Sequence, residues 1–180
     1  MWYRSGLRLA AKEEKEETAF VAFFLPPSAR KALKHVEGLD DDLHMTLVYV
    51  TDGVKTEEDQ EAILVAVKAI ARAWGPISCE LTEIGLMSNG SNAEVSNVTC
   101  HGGAAFYTDL VNAIEGEFGK FERKYDFLPH VTLRMKNGSR KTVGVDDFVP
   151  FSWKANAVTV QFGGEGGPKH EIKLTGKKKG

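Results

Sequence analysis

Cysteine is scarce in this chain: Cys79 and Cys100 are the only two in 180 residues. Two thiols are too few for a disulfide-built scaffold, and the expectation is a pair of buried free thiols in a reducing compartment. Long apolar runs are missing too. None approaches the roughly 20 residues that a bilayer-spanning helix needs. At the N-terminus Arg4 and Arg8 break up the apolar residues before the charged run Lys12–Glu17, which is not the pattern of a secretion signal. These absences lead us to expect a cytoplasmic protein without membrane contact. Nor is there an excess of one charge: 23 Lys+Arg face 25 Asp+Glu, for a formal net charge of −2. Sequence-independent binding to duplex DNA draws on a broad cationic face that displaces counterions, so duplex DNA is not an expected partner. A local basic cleft for a small phosphate-bearing ligand stays open.

What is present is an ordinary globular composition, 42% hydrophobic and 27% charged, enough for one domain or two small lobes sharing a core. Residues 1–17 form a polar extension without a core pattern. Thr18–Leu25 is an aromatic and aliphatic run of strand length, stopped by Pro26-Pro27, and reads as a central buried strand. Pro27 then suits a helix start, with Ala29, Leu33 and Val36 on one stripe. Leu43–Val50 favours a strand. Thr56 opens the clearest helix, its first turn acidic and its apolar face made of Ile63, Val67, Ile70 and Trp74 up to Gly75-Pro76. Strand-like stretches 77–87 and 93–101 flank the turn-rich Ser88–Asn92. A helix is predicted over 104–118, with Phe106, Leu110, Ala113 and Ile114 inward, then a strand over 129–135 closed by Asn137-Gly138. Trp153–Phe162 and Lys169–Leu174 read as one hairpin around the Gly163–Pro168 loop, and 175–180 as a solvated basic tail. Hairpin signals recur throughout, which makes the fold class α+β with largely antiparallel sheets.

One local pattern occurs twice. His44-Met45-Thr46-Leu47 and His130-Val131-Thr132-Leu133 lie about half the chain apart, each on a predicted strand. Side chains two apart on a strand share a face, so each strand offers one imidazole and one hydroxyl while its Met/Leu or Val/Leu pair packs the other way. Phosphodiester hydrolysis asks for this set. A base must take a proton from water and an acid must give one to the leaving alkoxide, and imidazole does both near neutral pH. Hydroxyls can hold the non-bridging oxygens as charge builds. No metal site is expected: neither histidine has a carboxylate or Cys at ligand spacing, and no cofactor is called for.

The doubled His-x-Thr-Leu resembles the 2H phosphoesterase superfamily, which includes the LigT-like 2′-5′ RNA ligases and RNA 2′,3′-cyclic phosphodiesterases. The opening strand Ala19–Pro26 and the Pro129 before the second motif are similar as well, so the likeness covers roughly residues 18–174. It implies a single two-lobed domain with a pseudo-twofold axis, antiparallel sheets flanked by helices, and a central groove to which each lobe gives one motif strand. Carried over by position, the catalytic set is His44, Thr46, His130 and Thr132. The implied substrates are RNA ends with a 2′,3′-cyclic phosphate, 2′-5′ linkages or cyclic nucleotides and oligonucleotides. Separately from the resemblance, the chain is expected to be a monomer.

Other candidates are weaker. Arg134 stands two residues beyond Thr132 on the same strand face and is placed to reach a phosphate. Tyr49, Phe23 and Trp153 are candidates for stacking on a base. Lys169 sits beside the Gly163–Pro168 loop, which lacks the spacing and following helix of a phosphate cradle and reads as a hairpin turn. His35, His101 and His170 do not repeat the motif. Substrate choice is assigned to loops 51–56, 88–92 and 136–149. The competing readings are a nucleotide- or RNA-binding module with little turnover, such as a domain of a larger assembly, and an RNA ligase running the reaction in reverse.

Overall fold

The computed structural model describes residues 17–87, 93–123, 126–135, 148–164 and 166–178. The N-terminal extension before Glu17, the Ser88–Asn92 turn, the Asn137-Gly138 turn and most of the 136–149 loop lie outside them. In chain order the elements are β1 (Glu17–Phe24), α1 (Pro27–Ala32), β2 (His44–Val54), α2 (Glu57–Ala73), β3 (Ile77–Leu86), β4 (Ala93–Cys100), α3 (Gly103–Glu117), β5 (His130–Met135), β6 (Phe151–Ala155), β7 (Ala157–Phe162) and β8 (Lys169–Lys173). The eight strands form one antiparallel sheet in the order β6-β3-β4-β5-β2-β1-β7-β8. Its two halves correspond, β5-β4-β3-β6 matching β2-β1-β7-β8. The predicted α+β class and two-lobed pseudo-twofold arrangement are therefore observed.

The aromatic run places β1 between β2 and β7, and the two prolines that end it cap and open α1. Helix α2 begins with a capping box: the Thr56 hydroxyl accepts from the Asp59 N–H, and the Asp59 carboxylate accepts from the Thr56 N–H. Its buried stripe, with Ile63, Val67 and Ala71, packs with Phe106, Leu110 and Ile114 of α3 against one face of the sheet. Phe23 and Trp74 meet Phe106 there, with ring centroids 5.2 and 5.5 Å away. Each such aromatic contributes about 1.5–3 kcal/mol by leaving water.

The predicted hairpin arm Trp153–Phe162 is in fact two strands. Asn156 divides it, and β6 lies at one edge of the sheet beside β3 while β7 pairs with β1 in the other half. One connecting residue spans only a few ångströms, so the sheet must curl until its two halves meet at this corner. The β7–β8 hairpin does form, its turn carried by Gly163, Gly164 and Gly166 at φ 74°, 76° and 84°.

The tail is another correction. Up to Lys178 it is docked: Thr175 N–H donates to Ala71 O, Gly176 N–H to Trp74 O and Lys178 N–H to Ala73 O, satisfying carbonyls at the end of α2. Lys178 Nζ lies 4.6 Å from the Trp74 ring and 2.6 Å from Asp109 Oδ2. The cysteines differ from expectation too. Cys79 and Cys100 sit opposite each other on β3 and β4 and form a disulfide. Counting two cysteines carries no information about strand register, which is what brings them together.

Candidate active site

Each motif histidine begins a strand, β2 or β5, and these two strands meet at the centre of the sheet. Met45 is the register partner of Val131, and both side chains belong to the core. One step to either side, His44 faces Thr132 and Thr46 faces His130. The antiparallel crossing thus gathers two imidazoles and two hydroxyls on the face away from the core, all four partly exposed.

The two imidazoles are held alike. His44 Nδ1 is 2.7 Å from Asp42 O, and His130 Nδ1 is 2.7 Å from Leu128 O. A carbonyl only accepts, so in each ring Nδ1 carries the hydrogen and Nε2 is left to take or give a proton. The surrounding backbone repeats as well: Leu25 N–H donates to Leu43 O at 2.9 Å, and Val98 N–H to Pro129 O at 3.0 Å.

The flanks break the symmetry. In the first lobe His44 lies between two phenylalanines, Phe20 at 5.4 Å and Phe24 at 5.2 Å between centroids. Phe20 in turn stacks on Tyr49, 6.3 Å away and 17° from parallel. Strict alternation from His44 would send Val48, not Tyr49, to this face. A bulge at Leu47, where the β1–β2 register steps from Val21–Val48 to Ala22–Thr46, exchanges them. Tyr49 is consequently 47% exposed and stacked on Phe20. Lys169, on β8 opposite Gln161, reaches the same wall: its Nζ is 2.5 Å from Asp42 Oδ2 and 4.5 Å from the Phe24 ring centre.

Phe23, expected to stack on a base, is fully buried against Phe106 on the other side of the sheet. Trp153 is in the core as well. The groove aromatics are Phe20 and Phe24. Period two along β1 separates Phe24 from Phe23, but which parity faces the histidines depends on the pairing with β2. Arg134 does not stand open to a ligand either. It is 4% exposed, its Nε donates to the buried Glu94 carboxylate, and its Nη1 donates to Glu37 O. His35, His101 and His170 are exposed and away from the motifs. Of the loops expected to choose the substrate, 51–56 is described, whereas 88–92 and most of 136–149 are not. Among the described residues no group of three or more His, Cys, Asp and Glu side chains converges as a metal cage, and no helix is long and apolar enough to cross a membrane.

No protein-family model matches the chain, and no curated protein does. Solved structures do. Protein TT0787 of Thermus thermophilus superposes with a TM-score of 0.70 at 20% identity, over 89% of this chain and all of that one. A phosphoesterase superposes at 0.63 and 18% identity, over 89% of this chain and 96% of its own. E. coli LigT in complex with 3′-AMP does so at 0.60 and 17% identity, with the same coverage.

Proposed function

We propose that this chain, whose fold is that of the LigT-like 2H phosphoesterases, hydrolyses a phosphodiester of a nucleotide or short RNA without a metal, as a monomer. The observation that carries the reading is the pair of identically anchored histidines on facing strands, each with Nε2 left for proton transfer. In the reaction one Nε2, unprotonated, takes a proton from water as its oxygen attacks phosphorus. The other imidazole, protonated, delivers a proton to the departing ribose oxygen, so a cyclic phosphate opens to a phosphomonoester and the two rings exchange protonation states. The hydroxyls of Thr46 and Thr132 donate to the non-bridging oxygens as negative charge grows. A 2′,3′-cyclic phosphate, a 2′-5′ linkage and a cyclic oligonucleotide all present this chemistry. The exposed Tyr49 with Phe20 and Phe24 supplies apolar area for a base beside His44. The nucleotide held by E. coli LigT supports that substrate class. Ligation is the same ring opening with a 5′-hydroxyl attacking in place of water, so that a phosphodiester forms instead of a phosphomonoester.

The test is incubation with a panel of cyclic and linear nucleotides, with and without EDTA, following product by chromatography. Turnover that survives chelation and shows both an acid and an alkaline limb in kcat/KM is expected. Binding without product would make the chain a nucleotide-binding module instead, and loss of activity in EDTA would replace the two-histidine chemistry.

A further inference from the structure

Arg134 and Glu94 make an ion pair on β5 and β4 that is 4% and 0% exposed. Charges this deeply buried are retained only with partners, and removing one partner strands the other. The arginine also crosses to the first lobe, where its Nη1 donates to the carbonyl of Glu37, 97 residues earlier. Close by, Asp40 N–H donates to Leu133 O at 2.8 Å. The 37–42 loop of one lobe therefore rests on the histidine strand of the other. From its own side the loop is gripped by Arg30, whose Nη1 reaches Asp40 O at 2.5 Å and Asp41 O at 3.0 Å, with Nη2 on the Asp41 carboxylate at 3.1 Å. The loop ends at Asp42 O, the acceptor that keeps the hydrogen of His44 on Nδ1.

We propose that the Glu94–Arg134 pair is a positioning device for His44: it sets the height of the 37–42 loop across the lobe junction, and through Asp42 O it fixes the ring tautomer and aim of that histidine. A displaced Asp42 carbonyl leaves the neutral ring free to carry its hydrogen on Nε2, and a ring in that form cannot accept a proton from water there. His130 answers to a different support. Its acceptor, Leu128 O, follows Phe127, which stacks on Tyr107 of α3 at 4.4 Å and 6°. The device therefore acts on one histidine and not on the other.

The inference rests on the proposed hydrolysis, and its test is chosen to stand apart from it. Side-chain nitrogen–proton correlation spectra of the histidines report the tautomer with no substrate present. The variants are Arg134→Lys, which keeps the charge but loses the fork that spans Glu94 and Glu37, and Arg30→Ala, a change at an exposed side chain that loosens the same loop without touching the core. In both, His44 should lose its single Nδ1–H form and exchange between tautomers while His130 keeps its own. With turnover established, kcat should fall about 10- to 100-fold with KM nearly unchanged, the effect of misaiming a reacting group. His44 unchanged in folded Arg30→Ala and Arg134→Lys overturns the proposal. A raised KM with intact kcat in Arg134→Lys also overturns it, because Arg134 would then hold substrate directly. If Arg134→Lys does not fold, Glu94→Gln, which keeps the shape and removes the carboxylate that aligns the guanidinium, takes its place with the same outcomes. A wild-type chain that hydrolyses nothing would refute the proposed reaction and leave the tautomer result readable.

Discussion

His44 and His130 are equal in anchoring and unequal in company, and substitution separates these two properties. If the proposed hydrolysis holds, replacing either with alanine removes one of its proton transfers, and turnover should drop by about 10²–10⁴-fold. The double variant should be little worse than the poorer single one, because groups acting as a unit do not add. Steady-state kinetics on one cyclic phosphate checks both. Thr46→Val and Thr132→Val keep the shape and remove a donor, and each should cost about 1–3 kcal/mol in kcat/KM if the hydroxyls meet developing charge. The four residues were legible in the sequence because a strand's period of two and the repeated spacing together place them on one face. Phe23 was misread for the same reason in reverse. An unbroken aromatic run shows two faces but not which one looks toward β2. Tyr49 reached the histidine face only through the bulge at Leu47, and nothing in residues 44–50 announces an extra residue in the ladder. Glu94, 40 residues from Arg134 along the chain, had no local signal that it would be its partner.

Among the elements, α2 shows how a short motif becomes stability. The Asp59 carboxyl is held below the usual carboxylate range by the backbone N–H groups of Lys55 and Thr56, with the Thr56 hydroxyl adding to them. A depressed carboxyl contributes stability that is present above its unfolded pKa and is lost as the pH falls through the folded value. Unfolding midpoints should therefore decline on acidification below about pH 4, and Asp59→Asn should flatten that decline while lowering stability at neutral pH. Thr56→Ala should cost about 0.5–2 kcal/mol at neutral pH, measured by urea denaturation. Helix α2 was readable because its cap, acidic turn and Gly-Pro stop are all local. The disulfide between β3 and β4 was not. Its 21-residue separation lets it restrict the unfolded chain by about 3 kcal/mol, so a reducing agent should lower the denaturation midpoint by a corresponding amount.

At the scale of the molecule, the tail joins parts that are distant in sequence. Asp109 of α3 is held below the usual carboxylate range first by the Lys178 ammonium and then by the Trp74 indole N–H. Its contribution has the same sign as that of Asp59 and fades on acidification. Truncation after Leu174 removes the cation and the backbone bonds to Ala71, Ala73 and Trp74 together. The shortened chain should melt at a lower temperature, and its stability should depend less on pH in the acid range. The sequence suggested the opposite, a free lysine tail, because nothing in its composition reports the carbonyls left over at the end of α2.

The corner at Asn156 has a consequence for how the molecule comes into being. The lobe that holds His44 begins with β1 and β2 but is completed by β7 and β8, which follow every strand of the other lobe. The half that holds His44 is therefore split in sequence, and the ribosome finishes it only after the contiguous half that holds His130. During synthesis β1 waits for a neighbour more than a hundred residues downstream, its edge open meanwhile to wrong partners. High contact order makes the final closure slow. The last strands thus act as a kinetic latch: until 157–173 has been made, the chain has both motif histidines and no finished lobe to hold the first of them.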